Sequence, residues 1–304
     1  MRRTSAATAT PTFFFILAFG YLLIPGQTGN SLYLEAQELA PPALAPAPGP
    51  WAQSILQARE LILDRMEEQE VPGLSIAVGV GGEIVWAEGF GWADLENRVP
   101  VWPESKFRIA SISKTLTAAA VGKLMEEGRL DLDAPVQRYL PSFPEKRWPI
   151  TTHLLGGHLA GIRHYRAGEF ESMVHYDDVM DGLEIFAGDS TYGWNLVSAV
   201  VQSAAGEPFL NYMHRTVFEP AGMDETVAEH VDSLIYRRSS SYLRTDDGHI
   251  INAPYVDNSN KWAGGGFLST ASDLVRYAFS YLDGTLLEAG TVETLWTSQS
   301  TLDG

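Results

Sequence analysis

Phe107-Arg108-Ile109-Ala110-Ser111-Ile112-Ser113-Lys114-Thr115-Leu116-Thr117-Ala118 is the stretch on which the reading of this chain turns. It runs on as Ala119-Ala120-Val121-Gly122-Lys123-Leu124-Met125-Glu126-Glu127 and stops at Gly128. Apolar side chains at 112, 116, 120 and 124, alanines between them and a closing glycine predict a helix packed into a core. Ser111 falls at the N-terminus of that helix, and a spacing of three puts Ser111 and Lys114 on one face within reach of each other. A serine hydroxyl is inert at neutral pH unless a neighbouring base takes its proton, and a lysine serves as that base only if burial lowers its pKa. The helix N-terminus favours negative charge developing at Ser111. Ser-x-x-Lys by itself is a common pattern, since a serine N-cap followed by an exposed lysine is ordinary, so the surroundings must decide.

On the N-terminal side, residues 52 to 70 place Ile55, Leu56, Leu61, Ile62, Leu63 and Met66 among charged residues with helical period, which predicts an amphipathic helix ending before Pro72-Gly73. Leu74 to Val80 and Glu83 to Gly91, joined at Gly81-Gly82, read as a β-hairpin. A helix feeding an antiparallel hairpin suggests an α+β fold. A G-x-S-x-G elbow is missing; Gly73-Leu74-Ser75-Ile76-Ala77 comes nearest but sits inside a predicted strand. Gly264-Gly265-Gly266 lacks the lysine and strand-to-helix context of a phosphate-binding loop.

Composition removes whole classes of function. A net charge of -17 argues against a nucleic-acid partner, which needs a basic surface to release counterions. Hydrophobic content of 45% and charged content of 19% suit a globular chain. The absence of cysteine rules out disulfides, a thiolate nucleophile and cysteine-ligated zinc. Arg2-Arg3 ahead of the apolar run Phe13 to Ile24 predicts an export signal over residues 1–26, either cleaved or kept as a membrane anchor. Residues 27–50 are Pro/Ala-rich and read as a semi-rigid linker, and the folded domain is expected over 51–304.

Beyond Gly128 the chain reads Arg129-Leu130-Asp131-Leu132-Asp133-Ala134-Pro135-Val136, then Tyr139-Leu140-Pro141, His158-Leu159-Ala160-Gly161-Ile162, and Pro254 to Thr270 with Lys261-Trp262-Ala263-Gly264-Gly265-Gly266 at its centre. With the nucleophile segment, these resemble the class C β-lactamase and penicillin-binding-protein superfamily of serine hydrolases, and within it the mitochondrial serine β-lactamase-like branch and its bacterial relatives. The resemblance implies a transpeptidase-like α+β fold, an antiparallel sheet flanked by helices with a helical subdomain. It also implies acyl-enzyme chemistry with Ser111 as nucleophile and Lys114 as base, no metal or organic cofactor, and a small-molecule or peptide substrate bearing a peptide, ester or β-lactam carbonyl. Gly264, Gly265 and Gly266 are the expected substrate-binding backbone, although a tight turn explains those glycines almost as well; Lys261-Trp262 ahead of them could gate the cleft.

The family pattern is not met everywhere. Its Tyr-Ser-Asn or Tyr-Ser-Thr element, whose tyrosine relays a proton, reads Asp189-Ser190-Thr191 here, leaving Tyr192 as the nearest replacement. The Lys-Thr-Gly or His-x-Gly strand that usually lies near the family's C-terminus is not reached before Gly304. Weak or stoichiometric reactivity at Ser111 is therefore expected, and the rival reading is a non-catalytic binding or scaffold protein that keeps the fold. His153, His158, His164 and His175 invite a zinc reading, but spacings of five, six and eleven do not pair them on one helix face in the His-x-x-x-His manner and no carboxylate motif accompanies them, so structural or surface roles are favoured. The N-terminal segment offers the one route to membrane association that the sequence suggests.

Overall fold

The computed structural model describes residues 49–166, 168–184 and 193–299. The N-terminal apolar run and most of the Pro/Ala-rich stretch therefore lie outside the described residues, as do Asp189, Ser190, Thr191 and Tyr192. The chain divides into two compact units, one built on the residues before Lys106 with Ser239–Asn252 and Thr270–Val275, the other on Lys106–Arg238, Ala253–Ser269 and Arg276 onward.

In the first unit, helix α1 (Ala52–Glu68) leads into strands β1 (Gly73–Val80) and β2 (Glu83–Asp94), an antiparallel pair to which β3 (Val99–Pro100) adds a short third strand. The turn between β1 and β2 has positive φ at both Gly81 (62°) and Gly82 (89°), the backbone that a tight two-residue hairpin demands and that glycine supplies without steric cost. One face of α1 closes over the hairpin. Ile55, Ile76, Trp86 and Phe90 form the core, with Ile62, Leu63 and Met66 packed against it. Full burial of each such side chain contributes about 1.5–3 kcal/mol. Arg59 reaches through this layer to Glu88 at 2.8 Å, and the same carboxylate accepts the Trp86 indole N–H at 2.6 Å, so its charge is fully paired. Ser75 is buried within β1, the ordinary strand position that the sequence predicts.

The second unit carries the nucleophile segment. Strand β4 (Phe107–Arg108) pairs antiparallel with β8 (Phe267–Ser269), which also pairs with β5 (Val227–Ala228). Beyond β4, residues Ala110–Ile112 form a single 3-10 turn, and helix α2 (Ser113–Glu126) follows. The predicted helix is present, but Ser111 stands on the turn that feeds it, not in its first regular turn. Leu116, Ala119, Ala120 and Leu124 are completely buried. Across from them lies helix α5 (Gly193–Ala205), whose Leu196, Val197, Ala199, Val200 and Val201 are buried to the last atom or nearly so. An unbroken buried run from Trp194 to Val201 places α5 inside this unit, as the pillar against which α2 is set. Phe267 of β8 is sealed between Phe218, edge-on at 5.2 Å, and Phe209, stacked at 6.4 Å.

Candidate active site

The register of β4 against β8 brings the residues after Arg108 beside the residues before Phe267. Phe107 faces Ser269, Arg108 faces Leu268, and the Ile109 N–H donates to the Phe267 carbonyl at 3.1 Å. The chain then turns at Ala110, whose φ of 45° is a left-handed value rare for a residue with a Cβ. Strain of this kind costs about 1–3 kcal/mol and persists only where neighbours impose it. A Cβ placed on Gly265 would meet the Ala110 backbone at 3.6 Å, an ordinary contact, so the two segments lie side by side, and beyond the turn Ser111 is exposed at the mouth of α2.

Lys114 answers from the first turn of the helix. Its Nζ lies 2.7 Å from Ser111 Oγ and 2.8 Å from the Gly264 carbonyl oxygen. Burial holds its pKa below the ordinary lysine value, because the charged form has lost part of its water. As an ammonium it donates to both oxygens. Once neutral, its lone pair can accept the Ser111 proton along the same 2.7 Å line while an N–H still donates to Gly264. Geometry and protonation therefore favour the same proton transfer.

The glycine triplet makes no tight turn, contrary to the reading that the sequence left open beside a substrate-binding role. Trp262–Gly265 form a short helix, α7, joined to β8 through Gly266. A Cβ on Gly266 would fall 2.7 Å from the Trp262 Cα and 2.9 Å from the Asn258 carbonyl oxygen, so only glycine fits. Thr117 Oγ1 donates to the Ala263 carbonyl at 3.1 Å and ties α7 onto α2. Gly264 thus supplies its carbonyl to Lys114. Nor does Lys261 stand as an exposed gate; it is buried beneath Phe170, with its Nζ donating to the Phe170 carbonyl at 2.6 Å.

The four histidines fall in three settings. His153 Nδ1 meets Asp133 at 3.0 Å, and His175 Nδ1 meets the buried Asp257 at 2.8 Å. His158 accepts the Trp194 indole N–H at 3.3 Å through Nε2, which requires a neutral ring. Desolvation, the nearby Lys114 charge and His164 all hold its pKa down. Together with Arg163, His164 and Gly193 it lines a cleft of about 170 Å³. Among the described residues no group of three or more histidine and carboxylate side chains is placed to hold a metal ion. The left-handed Ala110, and the role of a backbone carbonyl as partner to Lys114, escaped the sequence reading. Both are properties of the main chain, and only the unexplained density of glycines at 264–266 hinted at them.

Fold and site define a class: an α+β protein of the β-lactamase and transpeptidase type, with a serine and a lysine paired at the mouth of a buried helix. The chain belongs to the Beta-lactamase family, whose profile matches residues 58–303. It is 34% identical to the human mitochondrial serine beta-lactamase-like protein LACTB over 77% of this chain and 57% of that protein. It is 28% identical to the putative penicillin-binding protein PbpX of Bacillus subtilis, over 72% of this chain and 57% of PbpX. The octameric penicillin-binding protein homologue of Pyrococcus abyssi superimposes with a TM-score of 0.68 at 27% identity, covering 80% of this chain and 60% of that one. The chain thus spans less than two thirds of the length of these relatives.

Proposed function

We propose that the chain is a serine hydrolase that acts through an acyl-enzyme. Ser111 Oγ attacks a substrate carbonyl carbon as Lys114 Nζ takes its proton; the tetrahedral intermediate collapses with departure of the leaving group, which receives the proton, and water later releases the acyl group from Ser111. The observation that carries this reading is the 2.7 Å contact between Lys114 and Ser111, made by a lysine that burial has already shifted towards its neutral form. The penicillin-binding and β-lactamase-like names of relatives support a peptide, ester or β-lactam carbonyl as the electrophile. The expected outcome is that a fluorophosphonate or penicillin probe modifies the folded chain at Ser111 and that Ser111→Ala is not modified. A folded chain left unlabelled by both probes would point instead to a binding or scaffold role on the same fold.

Export is the second part of the proposal, resting on Arg2-Arg3 and the apolar run Phe13 to Ile24. Among the described residues no helix is long and apolar enough to cross a membrane. Cell fractionation with N-terminal sequencing tests the assignment, and cytosolic protein with Met1 intact would contradict it.

A further inference from the structure

Lys261 plays no part in that reaction, yet it is the most deeply placed cation near it. Its side chain is 5% exposed and forms no ion pair among the described residues. Two neutral oxygens hold the ammonium, the Phe170 carbonyl at 2.6 Å and Asn260 Oδ1 at 3.2 Å. The ring centres of Phe170 and Tyr165 lie 4.8 and 6.0 Å away, within cation–π range. Removing an ammonium from water without a carboxylate against it is unfavourable, so this lysine is poorly explained as a device for stability.

Its position explains it better. Lys261 immediately precedes α7, the turn whose Gly264 carbonyl meets Lys114. Through Phe170 it draws the loop of residues 168–176 onto that turn. The same loop is fastened at neighbouring points, where Asp257 N–H donates to the Ser172 carbonyl at 2.8 Å, Tyr176 N–H to Ser259 Oγ at 2.8 Å, and Asn260 Nδ2 to the Glu169 carbonyl at 3.3 Å. From the other side, Asn195 of α5 donates through Nδ2 to the Asn260 carbonyl. Of these fasteners Lys261 is the one adjoining α7.

We propose that Lys261 is a positioning residue for Lys114: by clamping the 168–176 loop to the start of α7, it holds the Gly264 carbonyl against Lys114 and keeps the lysine out of water. The inference rests on the reading of Lys114 as the base. Burial, and after it the charge of Arg108, pushes the Lys261 pKa down to about 8, while the charges of Asp257, Glu229 and Glu171 pull it up. Around Lys114 the titratable neighbour is His158. At neutral pH Lys261 is therefore charged and the clamp engaged.

The chain has five lysines, few enough for each side-chain carbon resonance to be assigned and titrated in full-length, lysine-labelled protein. In Lys261→Met the Lys114 midpoint should move up towards the ordinary 10.5, because water returns to its ammonium. Fluorophosphonate labelling of Ser111 near pH 7.5 should slow in step, about tenfold for each unit by which the midpoint rises, since the neutral fraction falls tenfold per unit. Phe170→Ala, at a half-exposed ring, should give a smaller shift in the same direction and serves if the first variant does not fold. An unchanged Lys114 midpoint in the folded variants overturns the proposal, and so does slower labelling without a shift, which would mark a merely structural lysine. A wild-type chain that shows the shift on mutation but never labels at Ser111 would instead refute the hydrolase reading and leave the positioning role standing.

Discussion

Two buried regions of this molecule are built on opposite principles. Beneath α1, Ile55, Ile76, Trp86 and Phe90 pack side chain against side chain, and the one buried cation there, Arg59, has a carboxylate of its own. At Asp257-Asn258-Ser259-Asn260-Lys261 five consecutive polar residues are buried, from 0% exposed at Asp257 to 5% at Lys261. Asn258 donates to Glu229, which also receives Arg108, and Asp257 accepts from the Ser259 N–H at 2.8 Å while holding His175. An apolar core is non-directional and tolerates swaps that conserve volume. A hydrogen-bonded polar segment is directional; it stabilises less per buried atom but fixes main-chain atoms in place. The contrast teaches where the molecule invests in stability and where in position, and it is the positioned segment that adjoins Lys114.

The largest effect should come from the site itself. Lys114→Met removes the proton acceptor while keeping the bulk of the stem, and should slow acylation of Ser111 by about 10²–10⁴-fold with little change in the unfolding midpoint. An undiminished labelling rate would show that the two regions do not differ in function as argued. In the apolar region, Phe90→Ala should lower stability by about 3–5 kcal/mol in denaturant titration. It should leave the Lys114 titration unchanged. Asp257→Ala sharpens the comparison. It leaves the buried Ser259 N–H without its acceptor and should lower stability by about 1–3 kcal/mol, less than the apolar deletion, while disturbing the Lys114 titration more.

The smallest effect is a slope with pH. The folded-state pKa of Lys261, about 8, is depressed below its ordinary 10.5, so between these values the unfolded chain binds the extra proton and the folded chain does not. Stability contributed by this group must therefore rise with pH across that window, its burial penalty being fully present below pH 8. Unfolding followed from pH 7 to 10 should show this rise in the wild type and lose it in Lys261→Met. The same slope in both would mean that Lys261 is not buried as a cation.

Much was legible before any fold was known. The four-residue recurrence at 112, 116, 120 and 124 located α2, and Gly81-Gly82 between alternating apolar residues located the hairpin, because period and turn chemistry are local properties of the chain. The pairing of Ser111 with Lys114 followed from a spacing of three on a helical backbone. Ser111 stands two residues ahead of the first residue of α2, Ser113, since nothing in Ala110-Ser111-Ile112 announces that the chain will first pass through a left-handed Ala110 and a 3-10 turn. The triplet at 264–266 showed that backbone would approach something closely, without saying that Gly266 must clear Trp262 or that Gly264 would face Lys114.

The sequence by itself thus determined α1, the hairpin, α2 and the family, and set Ser111, the proposed nucleophile, beside Lys114; each element and that pair are fixed by residues within a few positions of one another. Tertiary structure alone decided what surrounds that lysine. Gly264 lies 150 residues along the chain from Lys114, and Phe170 lies 91 from Lys261. Contacts across such separations depend on how α2, α5, α7 and β8 pack, and no local pattern records them. The environment that lowers the pKa of Lys114, and with it the chemistry proposed for Ser111, is a property of that packing.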